Sequence, residues 1–127
     1  MLAPLALEGL SILLVEDNFL LAEVTKDLLE QSGCRVVGPA GRLESGMRLA
    51  RQEQLDAAIL DIDLQGELSF AIAEVLRDRG VPFMFVTGYA DPGIVPSSLG
   101  RAARLDKPVA DDQLIGSLAE LCGVPMA

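Results

Sequence analysis

Three apolar runs in this chain stop abruptly on acidic or hydroxyl side chains, and no other feature limits its fold so tightly. Ser11–Glu16 (SILLVE) ends on Glu16 and Asp17. Ala57–Leu60 (AAIL) runs into Asp61, with Asp63 two residues on, and Pro82–Val86 (PFMFV) leads into Thr87. Unbroken apolar runs of this length suit strands buried on both faces. Two weaker segments, Cys34–Gly38 (CRVVG) and Ala102–Leu105, read as further strands, the second leading to Lys107.

Helical periodicity fills the intervals. Asn18 is placed to cap a helix with Leu21, Val24 and Leu28 at i, i+3 and i+7, and Gly33 ends it. Leu43, Met47 and Ala50 mark a second helix. Phe70–Arg79 reads as a third, with Ile72, Val75 and Leu76 inward. Asp111 is placed to cap a last one that turns Leu114, Ile115, Leu118 and Leu121 inward. The stretch Asp91–Gly100 (DPGIVPSSLG) holds two prolines and two glycines, which predicts a short or irregular helix there.

Five strand–helix steps use up the 127 residues. That alternation predicts a single α/β domain, an open parallel sheet with helices on both faces. The expected division is a loose lead over residues 1–9, the domain over 10–123 and a tail over 124–127. The opening MLAPLALEG has no basic residue ahead of its apolar stretch and contains Glu8, so neither a signal peptide nor a membrane span is predicted, and a cytoplasmic protein is expected. Ten Lys and Arg against nineteen Asp and Glu give a net charge of −9, with no basic run, which argues against direct contact with a nucleic-acid backbone. Cys34 and Cys122 lack metal-ligand spacing and read as reduced, partly buried thiols.

The chain contains no histidine. This removes the Ser-His-Asp triad and the HExxH zinc site, and there is no GxxxxGK[ST] loop for a nucleotide. Chemistry must rest on carboxylates, hydroxyls and amines. In open parallel sheets, function gathers at the carboxyl ends of the strands. Glu16, Asp17, Asp61, Asp63, Thr87 and Lys107 all follow strand segments, which puts them on one rim. Any one of them alone could be a cap or a loop residue. Together they are costly, because two carboxylates ~4 Å apart repel by about 4 kcal/mol at an effective dielectric near 20. A cation relieves that cost, and an all-oxygen donor set suits Mg²⁺ or Mn²⁺ better than zinc. A divalent ion beside a free carboxylate, a lysine and a hydroxyl suits phosphoryl transfer.

The stretches ILLVEDN (Ile12–Asn18), AILDIDLQGE (Ala58–Glu67), FVTGYA (Phe85–Ala90) and LDKP (Leu105–Pro108) resemble the receiver domains of bacterial response regulators. The likeness spans about Leu10 to Cys122. It implies a flavodoxin-like doubly wound (βα)5 fold with a five-stranded parallel sheet in the order 2-1-3-4-5. It further implies that Asp61 accepts a phosphoryl group. Asp17 and Asp61 would bind Mg²⁺ directly, Glu16 would act through water, and Asp63 would contribute its backbone carbonyl. Thr87 and Gly88 would meet the phosphoryl oxygens, Lys107 would pair with the phosphate, and Lys107–Pro108 would be cis. A sensor histidine kinase or histidine phosphotransfer protein would be the donor. A downstream protein would read the output, from a monomer or weak dimer. Such a domain is no enzyme beyond its own phosphorylation and slow dephosphorylation.

Arg104 stands where many receivers have an aromatic switch residue. The FVTGY stretch instead resembles a subgroup, often stand-alone receivers, whose motif runs Phe-Ala-Thr-Gly-Tyr and in which Tyr89 would take over the readout. Val86 replaces the alanine of that motif. Three alternatives remain at this point. The chain could be a receiver cut from a hybrid kinase, or a receiver that binds partners without phosphorylation. It could also be a phosphatase of the haloacid-dehalogenase type, in which Asp61-Ile62-Asp63 would supply nucleophile and acid.

Overall fold

Each apolar run becomes a strand, and each periodic segment becomes a helix or a turn. In the computed structural model, residues 7–88, 94–100 and 102–124 are described. The order is β1 (Ser11–Val15), α1 (Phe19–Gln31), β2 (Arg35–Ala40), α2 (Leu43–Gln52), β3 (Ala57–Leu60), β4 (Asp63–Leu64), β5 (Glu67–Leu68), α3 (Phe70–Asp78), β6 (Phe83–Thr87), a 3-10 turn (Ser97–Leu99), β7 (Ala103–Asp106) and α4 (Asp111–Leu121). Five strands form one parallel sheet in the order β2-β1-β3-β6-β7. Counting those five alone, the order is 2-1-3-4-5. The short antiparallel β4–β5 hairpin stands apart, between β3 and α3.

The two-residue period of a strand sorts its side chains between two cores. Leu13 and Val15 of β1, with Ala58 and Leu60 of β3 and Phe85 of β6, face Ala50 of α2 and Ile72, Ala73 and Leu76 of α3. Ile12, Leu14, Ala57, Ile59 and Met84 face Leu29 of α1 and Leu114, Leu118 and Ala119 of α4. Each fully buried Leu, Ile or Phe stabilises the fold by about 1.5–3 kcal/mol before entropy is counted. Phe85 also makes T-shaped contacts with Phe70 and Phe83, with centroids 5.8 and 5.7 Å away. On the first face the helices pack tightly, and a Cβ at Gly46 of α2 would lie 2.5 Å from Ile72 Cδ1 of α3. Arg79, just past α3, donates to the carbonyls of Ala50 and Glu53 and so closes the C-terminal end of α2.

Several local expectations need correction. Asn18 does cap α1, its Oδ1 accepting from the Leu21 N–H at 3.0 Å. The buried positions of α1, however, are Ala22 and Leu29, and Val24 is 61% exposed. A stripe at 21, 24 and 28 therefore borders the interface instead of filling it. α4 is capped at Ala110, and Asp111 is its first helical residue, where its charge favours the positive end of the helix. β2 runs on past Gly38 to Ala40, because Gly38 has φ +104° and the register with β1 shifts there, a bulge in an edge strand. The lead is anchored from Leu7 onward: Leu7 is fully buried, and the Gly9 N–H donates to the Gly33 carbonyl at 3.0 Å. Val124 of the expected tail packs against the second core. Of the segment 91–100, residues 94–100 are described and contain the short 3-10 turn Ser97–Leu99, with Leu99 buried. Among the described residues, no helix is long and apolar enough to cross a membrane.

Candidate functional site

The strand ends that carry polar residues in the sequence meet at one edge of the sheet. β1 and β3 are neighbours in register, Val15 beside Leu60, so Glu16 and Asp61 emerge side by side. Glu16, Asp17 and Asp61 each offer a carboxylate oxygen, and these oxygens lie within 4.8 Å of one another. Glu16 and Asp61 are buried at 7% exposure each, which is rare for carboxylates unless they are paired. The partner is Lys107, just past β7. Its Nζ donates to Glu16 Oε1 at 2.6 Å and to Asp61 Oδ2 at 2.8 Å. The main chain holds Lys107 there, since its N–H donates to the Thr87 carbonyl at 2.9 Å. Thr87 ends β6 and is fully buried. The Lys107–Pro108 peptide is cis, and so is Gly38–Pro39.

The protonation of this cluster follows from its burial. Desolvation pushes the Glu16 carboxyl up to about 7, although hydrogen bonds from Lys107 and the Asn18 backbone pull the other way; the Asp61 charge adds to the rise. Burial works against the Lys107 ammonium, but hydrogen bonds to Asp61 and Glu16, and their charges, outweigh it and raise its pKa. An excess of buried negative charge is thus held by one lysine. All the donors are oxygens, with no His or Cys among them, so the cluster has the chemistry of a site for a hard divalent cation.

Other expected site residues sit differently. The carboxylate of Asp63 does not join the cluster. Its Oδ1 accepts from the Gly66 N–H at 2.7 Å and closes the turn of the β4–β5 hairpin. In that turn Gln65 has φ +56° and Gly66 φ +92°, which suits a tight two-residue hairpin. The carboxylate is thus used by the turn, and only the Asp63 main chain remains for a role at the rim. Gly88 is exposed, with space around its Cα. The Nε of Arg104, on β7, pairs with Asp106 Oδ1 at 3.3 Å. Tyr89 lies outside the described residues. Two contacts at the site were not foreseen from the sequence. The Asn18 N–H donates to Glu16 Oε2 at 3.1 Å, and the Ser69 hydroxyl donates to the Asp61 carbonyl at 2.5 Å. A polar residue at a helix start signals only a cap, so neither contact was visible in sequence.

The family model of the response regulator receiver domain matches residues 12–119. The chain belongs to that family. This receiver is 29% identical, over 119 residues, to the polar-differentiation response regulator DivK of Brucella anthropi, covering 89% of this chain and 96% of that one. The DivK of Brucella ovis matches to the same extent. Among solved structures, the receiver domain of a sensor histidine kinase from Pseudomonas aeruginosa, with a magnesium ion coordinated in its active-site cleft, superposes with a TM-score of 0.79 at 27% identity, covering 91% of this chain and 98% of that one. The receiver domain of a modulated diguanylate cyclase from Desulfovibrio desulfuricans gives 0.80 at 29% identity, covering 90% and 94%. The receiver reading of a two-component response regulator is therefore favoured over the phosphatase.

Proposed function

We propose that this receiver accepts a phosphoryl group on Asp61 from a phosphohistidine of a sensor kinase or phosphotransfer protein, and signals through protein contacts that change as a result. The observation that carries this reading is the shared Lys107 ammonium, 2.6 Å from Glu16 and 2.8 Å from Asp61, at an edge crowded with carboxylates. In the reaction an Asp61 carboxylate oxygen forms the new bond to phosphorus while the donor's P–N bond breaks and its imidazole leaves.

The residues of the chain divide the remaining work. Asp17 and Asp61 would hold Mg²⁺ (or Mn²⁺) directly, with Glu16 through water and Asp63 through its backbone carbonyl; the fit rests on the all-oxygen cluster. When bound, the cation offsets the charge of the carboxylates and of the phosphoryl oxygens. Lys107 would move from its salt bridge with Asp61 to a phosphoryl oxygen, which keeps one cation on the growing negative charge. Thr87 would donate its hydroxyl to another oxygen, with Gly88 leaving room beside it. The phosphoryl group carries roughly −1.5 to −2 charge, by analogy with other phosphorylated side chains, in place of the single charge of the free Asp61 carboxylate. Thr87, Tyr89 and Arg104 would pass that change on to a downstream protein as a shift in populations. We assign these roles to one domain over residues 10–123, with Leu7 and Val124 packed onto it from either side, a cytoplasmic monomer or weak dimer, with no catalytic turnover of an outside substrate. The magnesium ion of the Pseudomonas receiver supports the choice of metal.

The test is phosphotransfer profiling. Autophosphorylated histidine kinases and phosphotransfer proteins from the source organism are mixed with the chain, with Mg²⁺ and with EDTA. Rapid transfer from at least one donor, abolished by EDTA, is the expected result. Partner binding that is strong and identical with and without phosphorylation would favour the phosphorylation-independent alternative.

A further inference from the structure

Ser69 breaks a local rule at the residue that matters most. It occupies the N-cap position of α3, where its carbonyl accepts from the N–H groups of Ile72 at 3.0 Å and Ala73 at 3.3 Å. A serine there ordinarily turns its side-chain oxygen onto the first N–H groups of the helix. Ser69 makes no such bond. Its hydroxyl instead points back across the hairpin and donates to the Asp61 carbonyl at 2.5 Å, and the residue is fully buried. A serine has a single hydroxyl hydrogen, so this donation commits it. The Ser69 backbone N–H meanwhile donates to the Ile62 carbonyl at 2.8 Å.

These bonds close a ring of restraints around the acceptor. The Asp61 N–H donates to the Val15 carbonyl of β1 at 2.9 Å, so both main-chain polar groups of Asp61 are held, one by β1 and one by Ser69. The hairpin between them has the same effect on Asp63. Leu64 and Glu67 flank a two-residue turn and form the pair that exchanges both backbone bonds. The next pair, Asp63 and Leu68, is then of the open kind, so the Asp63 carbonyl is directed away from β5. A chain leaving the end of a strand has no ladder to steady it, and the β4–β5 hairpin with Ser69 replaces that ladder.

We infer that Ser69 is a positioning residue, which acts through the Asp61 main chain to set the direction of the acceptor carboxylate. The inference rests on the phosphoryl-acceptance reading. A purely structural serine would lower stability alone; a positioning serine also alters the chemistry of Asp61.

The test compares the full chain with its Ser69→Ala, Ser69→Thr and Ser32→Ala variants. Ser32 is the control, because its hydroxyl donates to the Leu28 carbonyl at 3.0 Å, at the end of α1 distant in sequence from the acceptor. Three quantities are read: melting temperature, Mg²⁺ affinity by titration, and the rate of phosphorylation by acetyl phosphate at saturating Mg²⁺. Ser69→Ala is expected to slow phosphorylation roughly five- to tenfold, the effect of one net hydrogen bond, and to weaken Mg²⁺ binding at least threefold. Ser69→Thr keeps the hydroxyl and is expected within about twofold of wild type in rate, on the same bond. Ser32→Ala is expected to lower the melting temperature alone. The inference is overturned if Ser69→Ala matches wild type in rate and Mg²⁺ affinity, if it fails to fold, or if Ser32→Ala is slowed as much. A wild type that binds Mg²⁺ but takes no phosphoryl group defeats the phosphorylation reading, and the Mg²⁺ titration then judges Ser69 by itself. A wild type that does neither defeats both.

Discussion

Replacing Lys107 with methionine keeps the aliphatic stem and removes the charge that holds the site together. The side chain of Lys107 is 21% exposed, and those of Glu16 and Asp61 are 7% and 8% exposed, so this is a largely buried ion cluster. Carboxylate oxygens within 4.8 Å of one another repel by about 3.5 kcal/mol or more per pair at a dielectric of 20. Removing the partner of a buried charge costs about 3–5 kcal/mol. Glu16 limits that cost by taking up a proton, since burial already raises its carboxyl to about 7 and the loss of Lys107 raises it further. We therefore expect a loss of about 3 kcal/mol in EDTA at pH 8, or roughly 10–15 °C in melting temperature for a domain of this size. The loss shrinks towards pH 6, where Glu16 is protonated with or without its lysine. It also shrinks by about half or more in saturating Mg²⁺, because a divalent cation replaces the missing charge. Urea unfolding of both proteins, at two pH values with and without the metal, measures all four losses. A loss equal in EDTA and Mg²⁺, or below about 1 kcal/mol at pH 8, would refute the view that Lys107 neutralises a metal-binding acid cluster.

Other perturbations read separate parts of the structure. Because the raised Glu16 carboxyl is protonated below about 7, metal-free stability should fall as pH rises from 4.5 through 7. Mg²⁺ affinity should rise over the same range, by about tenfold between pH 6 and 8, with the rise flattened in Glu16→Gln and measured by titration calorimetry. Gly46→Ala should cost about 1–3 kcal/mol through its clash with Ile72 Cδ1, and Ile72→Val, which removes that atom, should recover part of the loss in a double-mutant cycle. In α1, Leu29→Ala should cost about 2–5 kcal/mol, whereas Val24→Ser should stay within about 0.5 kcal/mol, as chemical denaturation would show.

The sheet and the rim were legible in the sequence for the same reason. A strand buried on both faces must be apolar throughout, so its end is marked by the first polar residue, and in this topology those ends converge. Glu16, Asp17, Asp61, Thr87 and Lys107 could therefore be assigned to one edge before any coordinates. Helix faces were less legible. Apolar residues lie on several sides of α1, and periodicity could not tell the buried Ala22 and Leu29 from the exposed Val24, because alanine adds little to an apolar stripe. The β4–β5 hairpin was missed because it has only two residues per strand, and Gln65 carries a positive φ that its side chain does not advertise. The Ser69 bond was hidden because a serine ahead of a helix signals a cap, and here the hydroxyl serves a residue eight positions earlier. The cap at Ala110 was misplaced for a related reason: aspartate is favoured both at the cap and in the first turn.

The most direct test of the reading is the intact mass of the chain after incubation with acetyl phosphate and Mg²⁺, set beside Asp61→Asn treated in the same way. The wild type should gain the mass of one phosphoryl group, lose it again in EDTA-quenched alkaline solution, and show no gain when Mg²⁺ is omitted; Asp61→Asn should show no gain under any condition. Equal phosphorylation of the two proteins, or none in a folded, Mg²⁺-bound wild type, would contradict the assignment of Asp61 as the acceptor.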